Sequence, residues 1–488
     1  MRFRVHVHPR AGTGRAVARR VGVVALALGA APPLISTANA QGFGLNEIGS
    51  CAIARAGATT GAPCEDASVV YWNPAAAATL PRGRQLYLGG SAIAVKGSFT
   101  RDVTGQRYPG DVPVEFPPFL GATWTGGTTN RVSLGLAAYV PYGLTSQWQD
   151  DFIGRFSAQK AALQTIHVQP NIAVEIIPGR LSIGGGPVLG YSRLELRQGL
   201  DAAALPVAGT PLTLAQLGIQ RETEFARLRV QGDALGVGAN LGVQAKLTNT
   251  LTLGARWLSQ VRFEYDEADA EFTPSPSAAD YVLVGGLPPT VPAGTTLAQL
   301  TQAQFQAGGA FGPGQRASTR IDHPSQFQVG LGYTGLRGTT ISADYARVDW
   351  TSFAELPVNF TTAAGTPSPL SRTLVEAYEP SHSYRASVEH RYRSGLAARL
   401  GASFATSPAP DVTVTPLLPD MDRYNFAGGV AVPFGRFVLD AGYLRVETKG
   451  RRGRTGERDD LGLPAEQLNN GWYALDANVF TISLKARF

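Results

Sequence analysis

The chain has 488 residues, of which only 16% are charged, with 43 Lys and Arg against 37 Asp and Glu. Six of those bases (Arg2, Arg4, Arg10, Arg15, Arg19 and Arg20) lie in the first 40 residues, which hold no acid, so the remainder balances at 43 − 6 = 37 against 37. The formal charge of +6 belongs to the leader, which removes the support for a nucleic-acid partner. The 57 glycines and the lack of a sustained 3.6-residue apolar pattern suit a large all-β chain.

In chain order, a basic start, an apolar run over residues 21–31 and Ala38-Asn39-Ala40 before Gln41 read as a signal peptide, residues 1–40. The run is shorter than the roughly 20 apolar residues of a membrane-spanning helix, so export is expected. Residues 41–83 are rich in small residues, irregular and poor in charge. No bilayer-spanning strand can be drawn through them, and a bend is expected at Asn73-Pro74. A solvated tail should be more polar, so a plug inside a lumen is favoured over a periplasmic appendage. Export to an oxidising compartment favours a bridge between Cys51 and Cys64 over two free thiols.

From residue 84 the chain reads as strands. Val132, Leu134, Leu136, Ala138 and Val140 alternate with Ser133, Gly135, Ala137 and Tyr139; Leu251, Leu253, Ala255 and Trp257 alternate with Thr252, Gly254 and Arg256. Tight turns fit near residues 178–180, 248–250, 336–338, 393–395 and 433–435. Long connections fall near 143–160, 200–220, 274–315, 358–373, 406–420 and 450–470. Short and long links in alternation mark an all-β, up-and-down antiparallel transmembrane β-barrel, counted at about 14 strands over residues 84–488. Trp124, Trp148, Trp257, Trp350 and Trp472 fall near strand ends, as an interfacial girdle requires. In the last strand Phe480, Ile482, Leu484, Ala486 and Phe488 oppose Thr481, Ser483, Lys485 and Arg487. The terminal Phe488 is the expected handle for the barrel assembly machinery.

Several elements together resemble the FadL-type outer-membrane transporters of long-chain fatty acids and other hydrophobic compounds. They are Gly42-Phe43-Gly44-Leu45-Asn46-Glu47, Ala54-Arg55-Ala56-Gly57, Glu65-Asp66-Ala67-Ser68 before Asn73-Pro74-Ala75, Val140-Pro141-Tyr142-Gly143-Leu144, Gly154-Arg155-Phe156, Leu418-Pro419-Asp420-Met421-Asp422-Arg423-Tyr424 and the terminal strand. The resemblance implies a 14-stranded barrel closed by an N-terminal hatch. It implies a gate at Asn73, Pro74 and Ala75 with release sideways into lipid, and a mature start, Gln41, Gly42 and Phe43, that reaches the ligand pocket. Gln41 departs from the small residue expected there.

Two long loops are apolar. Leu205, Leu214 and Leu217 lie in one, and Leu283, Leu297 and Leu300 in the other. The shared Thr-Leu-Ala-Gln-Leu pieces predict two short Thr-capped helices. Side by side they would form an external capture groove; the alternative is a cap whose apolar faces bury each other. A ligand carboxylate in an apolar pocket requires a paired base, for which Arg155, Lys160, Arg193 and Arg385 are candidates by position. Each reads first as an ordinary lumen or rim charge, and a hydrocarbon requires none. After the leader four His remain, scattered, without a Gly-x-Ser-x-Gly element or metal-ligand spacing, so neither an enzyme nor a metal or cofactor is expected. A general porin would have no use for the plug or the apolar loops. The expected protein is a monomeric, passive outer-membrane channel for long-chain fatty acids or related hydrophobic compounds, with an aromatic or alkane channel as the alternative.

Overall fold

A computed structural model describes residues 42–488 apart from 46, 127–130, 206–212, 218, 283–291, 293, 369 and 455–468. The leader and Gln41 lie outside the described residues. A single antiparallel sheet of 14 strands closes on itself. Its strands are β1 (Gly83–Arg101), β2 (Pro118–Gly126), β3 (Val132–Tyr139, resumed as Gly143–Gln147), β4 (Lys160–Ile177), β5 (Leu181–Asp201) and β6 (Glu224–Lys246). Then come β7 (Leu251–Leu258 and Val261–Pro274), β8 (Gln315–His323 and Gln326–Leu336), β9 (Thr339–Val348 and Glu355–Thr361) and β10 (Arg372–Val375 and Ser381–Arg391). The circuit ends with β11 (Ala397–Ala405), β12 (Arg423–Phe434), β13 (Phe437–Thr448) and β14 (Gly471–Arg487). Strand β14 returns to β1 in an unbroken register from Gln85↔Arg487 to Arg101↔Gly471.

Closure follows from the solvent. In hydrocarbon an unpaired backbone N–H costs several kcal/mol, so a membrane-spanning sheet is stable only without edges. Period-2 alternation then sorts side chains by face. Along β14, Phe480, Ile482 and Phe488 are exposed on the outer wall while Thr481 and Ser483 are buried within. Leu86 and Leu88 of β1 and Leu235 and Val237 of β6 continue the apolar outer surface. Trp124, Trp257 and Trp472 belong to it. Trp148 and Trp350 do not. They are buried in the interior cluster, Trp148 stacked on Phe152 at 4.3 Å and Trp350 against Phe43 at 4.8 Å. Both lie outside the alternating stretches, Trp148 just beyond β3 and Trp350 in the break of β9, so strand parity does not direct them outward.

Residues 42–80 occupy the lumen. Helices α1 (Ser50–Ala54) and α2 (Val69–Trp72) and a 3-10 turn (Pro74–Thr79) are joined by irregular chain, and nearly every side chain is buried. Residues this short and apolar cannot form stable helices in water. They hold their shape because the wall supplies hydrogen-bond partners. Arg55 is the main tie: it donates to Ser387 Oγ (3.1 Å), Ser342 Oγ (2.7 Å) and Ala62 O (2.8 Å). Thr60 N–H donates to Asp344 Oδ2 at 2.6 Å. Cys51 and Cys64 are bonded, with Cα atoms 6.2 Å apart across a sequence separation of 13.

A bridge closing so short a loop contributes about 3 kcal/mol. Replacing both cysteines by Ser should leave the barrel heat-modifiable while amide exchange over residues 52–63 quickens by about a hundredfold. Unchanged exchange would show that the wall contacts alone hold the loop.

Candidate functional site

The first described residues dock where β3 is interrupted. Pro141 lacks an N–H and breaks the strand, which leaves backbone groups free to pair inward. Leu45 N–H donates to Pro141 O (2.9 Å), Gly143 N–H donates to Phe43 O (2.8 Å), and Gly44 bridges Tyr142. The two sequence elements that begin at Gly42 and at Val140 are therefore two sides of one contact. Gly42 has φ of 54° and lies so close to Trp350 that a Cβ would fall 2.6 Å from the indole. Phe43 is buried between Tyr142, His323, Trp350 and Phe353, with ring centroids 5.9, 5.4, 4.8 and 5.1 Å away.

Beyond Phe43 lies a small apolar cavity of about 50 Å³, lined by Phe43, Leu144, Leu163, Ile321, Phe353 and Leu418 among others. None of its lining side chains is charged, and Thr319 alone carries a polar atom. Such a space favours an apolar occupant and gives a free charge no partner.

Asn73, Pro74 and Ala75 press against the wall at β4, β5 and β6. Asn73 Nδ2 donates to Gln244 Oε1 (2.7 Å), Val243 O (3.1 Å) and Thr60 O (3.2 Å), while its Oδ1 is buried without a partner. Asn171 Nδ2 donates to Pro74 O at 3.2 Å. At this level the wall is interrupted. Strands β4 and β5 pair from Lys160↔Arg197 to Val168↔Leu189, and pairing resumes only at Ile172↔Gly185. Both flanking pairs sum to 357, which sets Pro170 directly opposite Pro187. Neither can donate to the ladder. Gly184, Gly185 and Gly186 precede Pro187, so the strand there carries little side chain to hold it. The sequence reading passed over this pair. Each proline alone looks like an edge residue, and their opposition is visible only once the register is known.

The four candidate bases are already occupied. Arg155 pairs with Glu224 (2.7 Å), Lys160 with Glu195 (2.8 Å), and half-exposed Arg193 with Asp233 (3.8 Å). Arg385 donates to Gly57 O (3.3 Å) and Ser383 Oγ (3.1 Å) and lies over the Trp72 ring, which makes it a tie for the lumenal segment. None of the four lines the apolar cavity.

At the end with long connections, α3 (Leu297–Thr301) begins with a capping box between Thr296 and Gln299. Leu214–Leu217 is only a single 3-10 turn, not a second α-helix. Leu214 and Leu297 are buried in the interior cluster, and Leu205 and Leu300 pack against it. The Leu217 side chain and all of Leu283 lie outside the described residues. These apolar faces thus close over the barrel end. The open groove at this end is lined instead by Phe272, Phe305 and Phe311 beside Arg229 and Arg316. The one His/Cys/Asp/Glu cluster among the described residues is Cys51, Cys64 and Asp66, and the bridge consumes its thiols.

The connection before β12 covers the docked N-terminal residues. There the buried Asp420 accepts from Ser407 Oγ (2.8 Å), from Arg423 Nη2 (3.5 Å) and from the Gly42 N–H. Burial pushes its carboxyl up to about 6, against the pull of Arg423. A carboxyl raised on folding favours the docked state most below its unfolded value of about 4 and loses that contribution as pH rises through about 6. Amide exchange over residues 42–45, corrected for its intrinsic pH dependence, should therefore quicken between about pH 4 and 6, and Asp420→Asn should flatten the profile. A flat profile in the parent protein would refute this role.

The family model described as outer membrane protein transport protein (OMPP1/FadL/TodX) matches residues 34–488. The long-chain fatty acid transport protein of Escherichia coli O6:H1 is 24% identical over 421 residues, covering 84% of this chain and 87% of that one. Among solved structures, a Pseudomonas aeruginosa FadL homologue superposes with a TM-score of 0.73 at 19% identity, over 92% of this chain and 100% of the other. The Pseudomonas putida toluene transporter TodX gives 0.63 at 17% identity with the same coverage.

Proposed function

The chain belongs to the OMPP1/FadL/TodX family of outer-membrane transport proteins, and we propose that it takes up long-chain fatty acids or related hydrophobic compounds by a hatch-gated, lateral route. The observation that carries this reading is the uncharged cavity behind Phe43, which suits an apolar chain and offers no path for hydrated solutes. A ligand would first settle in the external groove of Phe272, Phe305 and Phe311 and then pass under the buried loop leucines into the cavity. Residues 41–83 act as the hatch, with Asn73, Pro74 and Ala75 bracing the wall at the interrupted ladder. Release occurs there, through the gap between β4 and β5, where the wall lacks cross-strand bonds and a small hatch movement opens it to lipid.

The relatives named for fatty acid and toluene transport support a hydrophobic substrate and leave its head group open. The polar basin at the opposite end, lined by Arg55, Glu389, Arg391, Arg399 and Lys485, argues against an axial exit. An apolar ligand leaving that way would meet water and charge.

The test is labelled oleate uptake by cells lacking their own fatty acid transporter and complemented with this chain. Pro170→Val with Pro187→Val restores the missing N–H donors and should slow uptake about tenfold without loss of heat-modifiable barrel, since two regained cross-strand bonds contribute about 1–2 kcal/mol. Pro74→Ala should also lower uptake. An unchanged rate in the double variant would move the exit elsewhere.

A further inference from the structure

The hairpin turns at the end with short connections share one composition. Arg131 ends the link between β2 and β3, Arg180 the link between β4 and β5, and Lys246 leads into the turn after β6. Arg337 lies between β8 and β9, Arg393 between β10 and β11, and Arg436 between β12 and β13. At the seam Arg84 completes the circuit, its N–H donating to Phe488 O at 3.0 Å. No acid occurs in residues 127–131, 178–180, 247–250, 337–338, 392–396 or 435–436. Of the acids that approach this end, Asp66, Glu175, Glu389 and Asp440 are buried. Exposed Glu65 is already met by Arg487 (3.2 Å) and Arg391 (3.8 Å). Arg84, Arg180, Lys246, Arg337, Arg393 and Arg436 are all exposed, and no ion pair reaches them among the described residues.

The opposite end is built otherwise. There the outward bases of the wall face acids: Arg193 faces Asp233 (3.8 Å), Arg197 and Arg229 share Glu195 (2.7 and 3.3 Å), and Arg262 meets Asp322 (3.2 Å). The even charge balance beyond residue 40 thus conceals a separation, with the unmatched bases gathered at the short turns. Those turns stand roughly 10 Å apart, two strand spacings, which is about one Debye length, so their fields merge into a ring.

The bases also have exposed apolar neighbours. Ile177 precedes Arg180, Leu247 follows Lys246, Leu336 precedes Arg337, and Tyr392 precedes Arg393. Arg436 lies over the rings of Phe437 and Phe488 at 5.1 and 4.9 Å, with exposed Phe434 beside them. A base next to an exposed apolar side chain suits the boundary between hydrocarbon and phosphate, where the stem packs on lipid and the charge reaches the head group. A soluble acidic partner would match the charge and leave these apolar side chains wet.

We propose that this ring binds anionic glycerophospholipids of the periplasmic leaflet. Their phosphates lodge between neighbouring turns, and their acyl chains lie on Ile177, Leu247 and Leu336. The ring fixes the depth of this end in the leaflet and gathers acidic lipid around the barrel, whatever solute the channel carries.

The experiment places the purified full barrel in bilayers of equal phosphatidylglycerol and phosphatidylcholine of the same chains and measures the retained lipid by native mass spectrometry. The unmodified protein should retain phosphatidylglycerol about fivefold over phosphatidylcholine, the ratio that one base near a lipid surface supplies. The preference should fade in 1 M salt. A variant combining Arg180→Gln, Lys246→Gln, Arg337→Gln, Arg393→Gln and Arg436→Gln should stay heat-modifiable and lose it, while Arg→Lys at the same four arginines should keep it. Equal retention of both lipids by the unmodified protein would overturn the proposal, and this reading needs no variant to fold. So would a preference that survives in the Gln variant, which places the acidic lipid elsewhere on the wall. Capture of polyglutamate in place of phosphatidylglycerol would assign the ring to an acidic protein surface and overturn it as well.

Discussion

The lumenal segment meets the barrel wall backbone to backbone, and the rest of the structure depends on that contact. At Gly254 the carbonyl of Thr60 occupies the place where a Cβ would stand, and at Gly401 the backbone of Arg55 comes within 2.4 Å of it. With no side chains between them, the wall's polar interior residues reach the segment directly. Arg55 bonds to two strands at once, and Asn73 satisfies three acceptors on the segment and on β6. A plug held this closely blocks the lumen without needing a core of its own, which its short helices could not supply.

The weak point and the seat coincide. A β-barrel spanning lipid must satisfy its backbone internally, so an interruption in mid-wall is tolerable only where other groups stand in. Here Asn171 and Gln169, which flank Pro170, turn their side chains inward to carbonyls of the lumenal segment, Pro74 O and Val70 O. The wall thus satisfies carbonyls of the lumenal segment, and Asn73 of the segment satisfies Val243 O of the wall in return.

Much of this was legible in the sequence because it is written in periodicity. The alternation of residues 478–488, the short and long connections, and the absence of any strand in residues 41–83 follow from local pattern, and the barrel with 14 strands is what they imply. The motif residues were legible only as marks of a resemblance; that Gly42 to Leu45 and Pro141 to Gly143 pair with each other is visible in the structure alone. What depends on register was not. Pro170 and Pro187 are 17 residues apart by number and acquire meaning only across a hairpin. Trp148 and Trp350 lie where no alternation governs them, so proximity to strand ends pointed the wrong way.

The seam of the barrel has a consequence for its assembly. Gly83 and Arg84, where the lumenal segment ends, lie against the carbonyl of Phe488, so the entrance of that segment and the last turn of the closing strand share one place. Residues 42–80 precede every strand, yet they contact β4 to β13 from within. A segment that holds no shape of its own in water takes its fold from the strands around it, so its order arises against the wall and not ahead of it.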